Sequence, residues 1–301
     1  MTSVKMVARR PRRRATGWSF VALYVVLLVA FGVVPVIYAI VTAFFVTPVV
    51  GPTYFSLLDN FAAVLADYRL PVAAVNVAMY LLIWLPLLLV VVFVIALVLD
   101  AKRTRLGALT RFISYVPGAV TGSAAALLWL FMFSPAVSPI GPLLAPLVGA
   151  NGIIISDSSL PMILAVMGVA IGAGGWIVML YGALTAIPPE LIEAARIDGA
   201  NVWQQALHIK LPLIRSYVAF ILIVSFAAGF QVFVEPQVLG TGARGQVSST
   251  WSVNQLVYSY ASGESNYGRA SALSVLLLII TVTAAVIIIR KTKFYSIDGR
   301  S

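Results

Sequence analysis

Few residues in this chain could do chemistry. It has a single histidine, His208, and no cysteine, so thiolate zinc sites, cysteine nucleophiles, disulfide frameworks and histidine-rich metal clusters are excluded by inventory. A serine–histidine–aspartate set has no support, because His208 falls on a charged segment beside a long apolar one. No Gly-x-x-x-x-Gly-Lys-Ser/Thr loop occurs, and the nearest stretch, 240–250, has Arg244 rather than a lysine. The chain is therefore read as non-enzymatic, with any energy from ATP supplied by another subunit. Two sets of residues remain. Trp129, Trp176, Ser225, Gln231, Asn254 and Tyr258 are polar or aromatic groups suited to gripping a polyhydroxylated solute. Each also has a plainer role: Trp and Tyr belong in interfacial belts, and Gln231 can bond a neighbouring helix. The second set, Glu193, Ala194, Ala195, Gly199, Ile209, Leu211 and Pro212, lies in segment 188–212.

The elements that must position these residues are legible from composition. Of 301 residues, 61% are apolar and 10% charged, against roughly 45–50% and 25% in soluble domains. The prediction is an all-α integral membrane protein. Six stretches, 18–46, 72–99, 112–133, 158–187, 216–234 and 270–289, contain no Asp, Glu, Lys, Arg or His, and each is near or above the roughly 20 residues that a spanning helix needs. The first is too long for a cleavable leader and reads as a retained helix after a basic tail, 1–17. Gly168 and Gly172 form a small-x-x-x-small pair on the fourth stretch, suited to close helix packing or to lining a path.

Six spans put both termini on one side, and that side collects 17 of the 20 basic residues; only Arg69, Arg244 and Arg269 fall on the other. By the positive-inside bias both termini are cytoplasmic, in a plasma membrane crossed six times. The net charge of +10 is then an orientation signal toward membrane lipid, and nucleic acid is not expected as a partner. Absence of ionisable residues from the spans argues against an ion-coupled carrier, although broken helices can coordinate ions through carbonyls. Segment 134–152 holds Pro135, Pro139, Pro142 and Pro146, so an irregular cap is predicted there.

Segment 188–212 reads as two short helices. Pro189, Glu190 and Glu193 suit a helix start, and Gly199 suits a left-handed stop. Asn201 and Gln204 have capping-box spacing, Val202, Trp203, Ala206 and Leu207 give an apolar side, and Pro212 fits the first turn of the fifth span. On these grounds alone the segment is an amphipathic loop resting on the membrane surface.

The spacing adds more. Glu193-Ala194-Ala195, then Gly199, then Ile209-x-Leu211-Pro212 resembles the signature loop of permease subunits of binding-protein-dependent ABC importers. Other stretches resemble the carbohydrate branch of that family: Pro35 with Tyr38, Leu58-Asp59-Asn60-Phe61, Tyr115-Val116-Pro117, Leu239-Gly240-Thr241-Gly242 and Tyr267-Gly268-Arg269-Ala270. The end of the chain is similar to the first of two permease types, as in maltose and glycerol-3-phosphate importers. One departure is Gly242-Ala243-Arg244-Gly245, where the family usually has Gly-Gly-Pro. The resemblance implies a transmembrane domain over 18–301 whose loop 188–212 docks as a coupling helix on a cytoplasmic ATP-binding subunit dimer. It further implies a second permease subunit, an extracytoplasmic substrate-binding protein, and ATP with Mg on the ATPase rather than any cofactor on this chain. The expected function is half of the translocation path for a carbohydrate or related polyol. A self-contained ion-coupled carrier or channel is the alternative.

Overall fold

A computed structural model describes residues 21–48, 50–101, 105–134, 138–139 and 154–292. The basic tail 1–17, Lys102, Arg103, Pro135, Pro142, Pro146 and the carboxyl-terminal 293–301 lie outside the described residues. Among the described residues, four helices are long and apolar enough to cross a membrane: α1 (Val21–Thr42), α3 (Arg69–Ala101), α6 (Leu160–Thr185) and α12 (Tyr267–Thr292). Two bent pairs pass the same test together, giving up to six spans if each pair is counted once.

The first pair is α4 (Arg105–Tyr115), with its 3-10 turn Val116–Ala119, followed by α5 (Gly122–Met132). The two arms meet at 101°, so the stretch 112–133 is not one straight helix. Pro117 tightens the end of the first arm, Val120 and Thr121 are extended, and Gly122 takes φ +61, a conformation that suits glycine. After α7 (Pro189–Ile197) comes the second pair, α8 (Val202–Leu213) and α9 (Arg215–Phe230), which meet at a 71° bend. Pro212 therefore closes the arm before the bend at Ile214 instead of opening the fifth span. Pro212 has no N–H to donate, which weakens the ladder where the chain turns.

The fourth helix, α6, packs along α3 in the longest interface, and α9 and α11 (Val253–Tyr258) lie against α3 as well. Apolar residues at helical spacing on α3, including Val77, Tyr80, Leu81, Trp84, Leu88, Val92 and Ala96, are buried there, whereas α1 packs against α12 with none of its apolar window buried. That exposure suits lipid or another subunit in place of water. Two of the family-like stretches, 58–61 and 267–270, meet beside a two-stranded ribbon, β1 (Phe45–Val46) and β2 (Tyr54–Phe55), which run antiparallel. Buried Asn60, in α2 (Asp59–Leu65), donates to the carbonyls of Ala43 and Phe45 at 2.9 Å each. Gly268 packs so closely that a Cβ there would lie 2.7 Å from Asn60 Nδ2, so α12 can meet this knot only through glycine.

Candidate functional site

Segment 188–212 folds as two helices joined by a glycine turn. Gly199 has φ +82 and donates to Arg196 O at 3.1 Å, while Ala200 N donates to Ala195 O at 2.9 Å. The second helix opens on a complete capping box: Gln204 N donates to Asn201 Oδ1 at 2.9 Å and Asn201 N donates to Gln204 Oε1 at 2.8 Å. Buried Gln205 returns to Ala200 O at 2.7 Å and locks the turn. A π-helical turn, Ala206–Lys210, then continues to Leu211. Ala195 is buried, whereas Glu193, Ala194, Gly199 and Pro212 are exposed and Ile209 and Leu211 are half-buried. Around them Ile197, Val202 and Trp203 stand 87%, 72% and 64% exposed. This is a stiff element carrying an uncovered apolar surface at one end of the bundle.

The candidate path residues do not form one cluster. Gln231 ends α9, where the helix gives way to α10 (Val234–Gly242), and its side chain reaches two cavities. The first, about 340 Å³, is walled by Tyr80, Trp84, Gly168, Gly172, Phe233 and Glu235. The second, about 320 Å³, pairs Gln231 with Asn254, Ser274 and Thr281 between α1 and α12. Trp176 lines a third, of about 450 Å³, with Tyr115, Gly172 and Met179. Ser225 is buried with no hydrogen-bond partner for its hydroxyl. Trp129 stacks on Phe133 at 5.6 Å, and Tyr258 tilts over Phe233 at 5.4 Å.

The glycine pair splits in role. A Cβ on Gly168 would lie 2.6 Å from Trp84 Nε1, whereas Gly172 faces open space. Gly229 presses the other side of the same indole, where a Cβ would lie 2.8 Å from Trp84 Cε3. Trp84 is thus clamped between two glycines and stacked on Tyr80 at 5.3 Å and 9°, with its buried N–H unpartnered. Tyr80, Trp84 and Glu235 were not among the residues singled out by sequence. The only available signal was an aromatic pair four residues apart on one helix face, which ordinary core packing also produces.

At the end of the bundle remote from 188–212, Arg69 forks onto Asp67 (2.7 and 3.0 Å) and reaches Glu264 at 2.8 Å, and Tyr260 donates to Asp67 at 2.7 Å. The Arg69 guanidinium holds the Asp67 carboxyl well below the usual carboxylate range, and burial with neighbouring Asp67 pushes the Tyr260 hydroxyl up. This clasp ties the segment before α3 to the segment before α12.

No family model matches the chain. It is 27% identical over 304 residues to the multiple sugar-binding transport system permease protein MsmF of Streptococcus mutans, spanning 97% of this chain and all of that protein. The chain is thus similar along its whole length to a permease of a sugar transport system. A second relative is the osmoprotective compounds uptake permease protein GgtC of Synechocystis, 27% identical over 276 residues, 84% of this chain and 94% of that protein. The fold of this chain matches a chain of a bacterial alginate ABC transporter, solved in complex with an alginate pentasaccharide-bound periplasmic protein, at TM-score 0.78 and 17% identity over 96% and 98% of the two chains. The chain is an integral membrane protein, with its stiff exposed element at one end and solute-sized cavities among its helices.

Proposed function

We propose that this permease forms half of the translocation path for a carbohydrate or related polyol, driven by ATP hydrolysis on a separate subunit. The uncovered apolar surface of segment 188–212 carries this reading. A soluble-facing loop gains nothing by exposing Ile197, Val202 and Trp203, whereas a docking surface does. Glu193 supplies an exposed carboxylate for a basic group on the ATPase, Ala194 and Ala195 allow close approach, and Gly199 with Ile209, Leu211 and Pro212 sets the shape of the element. The element faces the cytoplasm in this reading, together with both termini.

Sugar import is supported by the similarity to MsmF along the whole chain. It also fits the first cavity, where aromatic faces can cover sugar C–H surfaces while Gln231 and Glu235 accept from hydroxyls. A second permease closes the open side, and an extracytoplasmic binding protein delivers the solute. Vesicles holding this chain with its co-encoded permease and ATPase, supplied with the binding protein, are expected to accumulate a labelled oligosaccharide only with ATP. Accumulation by the purified chain alone in liposomes, without ATP, would replace this reading with a self-contained carrier or channel.

A further inference from the structure

Asp100 and Lys210 carry opposite charges and meet across 110 residues of sequence. Lys210 Nζ donates to Asp100 Oδ2 at 2.5 Å, and the two side chains are only 14% and 10% exposed. Asp100 stands next to the last residue of α3, the helix at the centre of the bundle. Lys210 ends the π-helical turn of α8 and occupies the position that the family-like pattern leaves open between Ile209 and Leu211-Pro212. A pair so withdrawn from water is costly to assemble and strongly destabilising to break on one side, unlike an exposed pair.

Its place in the chain gives it a further consequence. Segment 188–212 is joined covalently to α6 through residues 186–188 and to α9 through the 71° bend at Ile214. A bend between element and span is where a hinge would absorb motion. Lys210 lies before that bend and fixes the element directly to α3. We propose that the Asp100–Lys210 pair is a mechanical joint, making α3 follow the movement of segment 188–212 so that ATPase closure reaches the centre of the bundle. Both are positioning residues, since neither lines a cavity described above. The proposal rests on reading 188–212 as the ATPase contact.

The test uses the assembled complex of this chain, the second permease, the ATPase and the binding protein, and reads ATP hydrolysis with and without the binding protein. Lys210→Met and Asp100→Asn are expected to lower that ratio by about tenfold, in keeping with the coupling between directly contacting residues. Lys210→Arg and the double variant Asp100→Lys/Lys210→Asp are expected to keep most of it. Assembly and thermal stability are measured alongside, because a purely structural pair would change these and leave the ratio of the assembled complexes at the native value. Such an outcome overturns the joint, as does a swapped complex that assembles but responds no better than the single variants. If the native complex contains no ATPase or shows no response, the function proposed above fails and the joint falls with it.

Discussion

Gly199 sits at φ +82 with open space around it, so its requirement is for backbone conformation, and any side chain there costs about 1–2 kcal/mol. Gly199→Asp adds a carboxylate to the exposed face as well. The variant is expected to reach the membrane and lose ATP-driven uptake, as measured in vesicles at matched protein amount; normal uptake would show that this turn has no coupling role. Gly168 and Gly172 offer a sharper pair, since one meets the Trp84 indole and the other meets nothing. Gly168→Ala should cost about 1–3 kcal/mol through overpacking against Trp84, and Gly172→Ala close to nothing, as measured by thermal unfolding in detergent. Equal losses would contradict the clamp. Asp67 makes a prediction with a defined sign. Its folded-state pKa is depressed, so its stabilisation is complete above the unfolded value of about 3.9 and is lost only as pH falls toward the lower folded value. Asp67→Asn should therefore cost about 2 kcal/mol, the scale of hydrogen bonds to a charged group, equally at pH 7 and pH 5. A penalty that vanishes at pH 5 would mean that the Asp67 carboxyl titrates above the ordinary carboxylate range, the opposite of a depressed pKa.

At the scale of elements, the two-helix form of 188–212 was readable because its signals are local: Pro189 at a first turn, Gly199 as a stop, and Asn201 with Gln204 as a reciprocal cap. The bends were not readable in the same way. Pro117 and Gly122 permit a 101° turn between α4 and α5, yet the same residues are tolerated inside straight spans. What fixes the bend is tertiary, since Gly118 lies so close to α6 that a Cβ would come within 2.8 Å of Ile171 O. Trp84 was missed for a related reason: its clamp is made by Gly168 and Gly229, on two other helices far along the chain. Lys210 counted in the sequence as one more cytoplasmic charge, and only the fold brings Asp100 to it. Asn60 and Gly268 were visible as motifs, but their shared purpose, closing α2 and α12 around the carbonyl of Phe45, required the structure.

At the scale of the whole molecule, the exposed surface makes most sense as part of an assembly. The helix α1 buries none of its apolar window, the solute-sized cavities are partly open, and the stiff element at one end carries an uncovered apolar face. Lipid can cover the first, but neither an open cavity with polar groups nor an apolar face at the end of the bundle is completed by lipid. The most direct measurement of the account is to tag this chain, extract it from native membranes in mild detergent, and determine by quantitative mass spectrometry what accompanies it in fixed ratio. One second permease and a P-loop ATPase pair per copy of this chain are expected. Recovery of this chain alone, still moving solute in liposomes without ATP, would contradict that expectation.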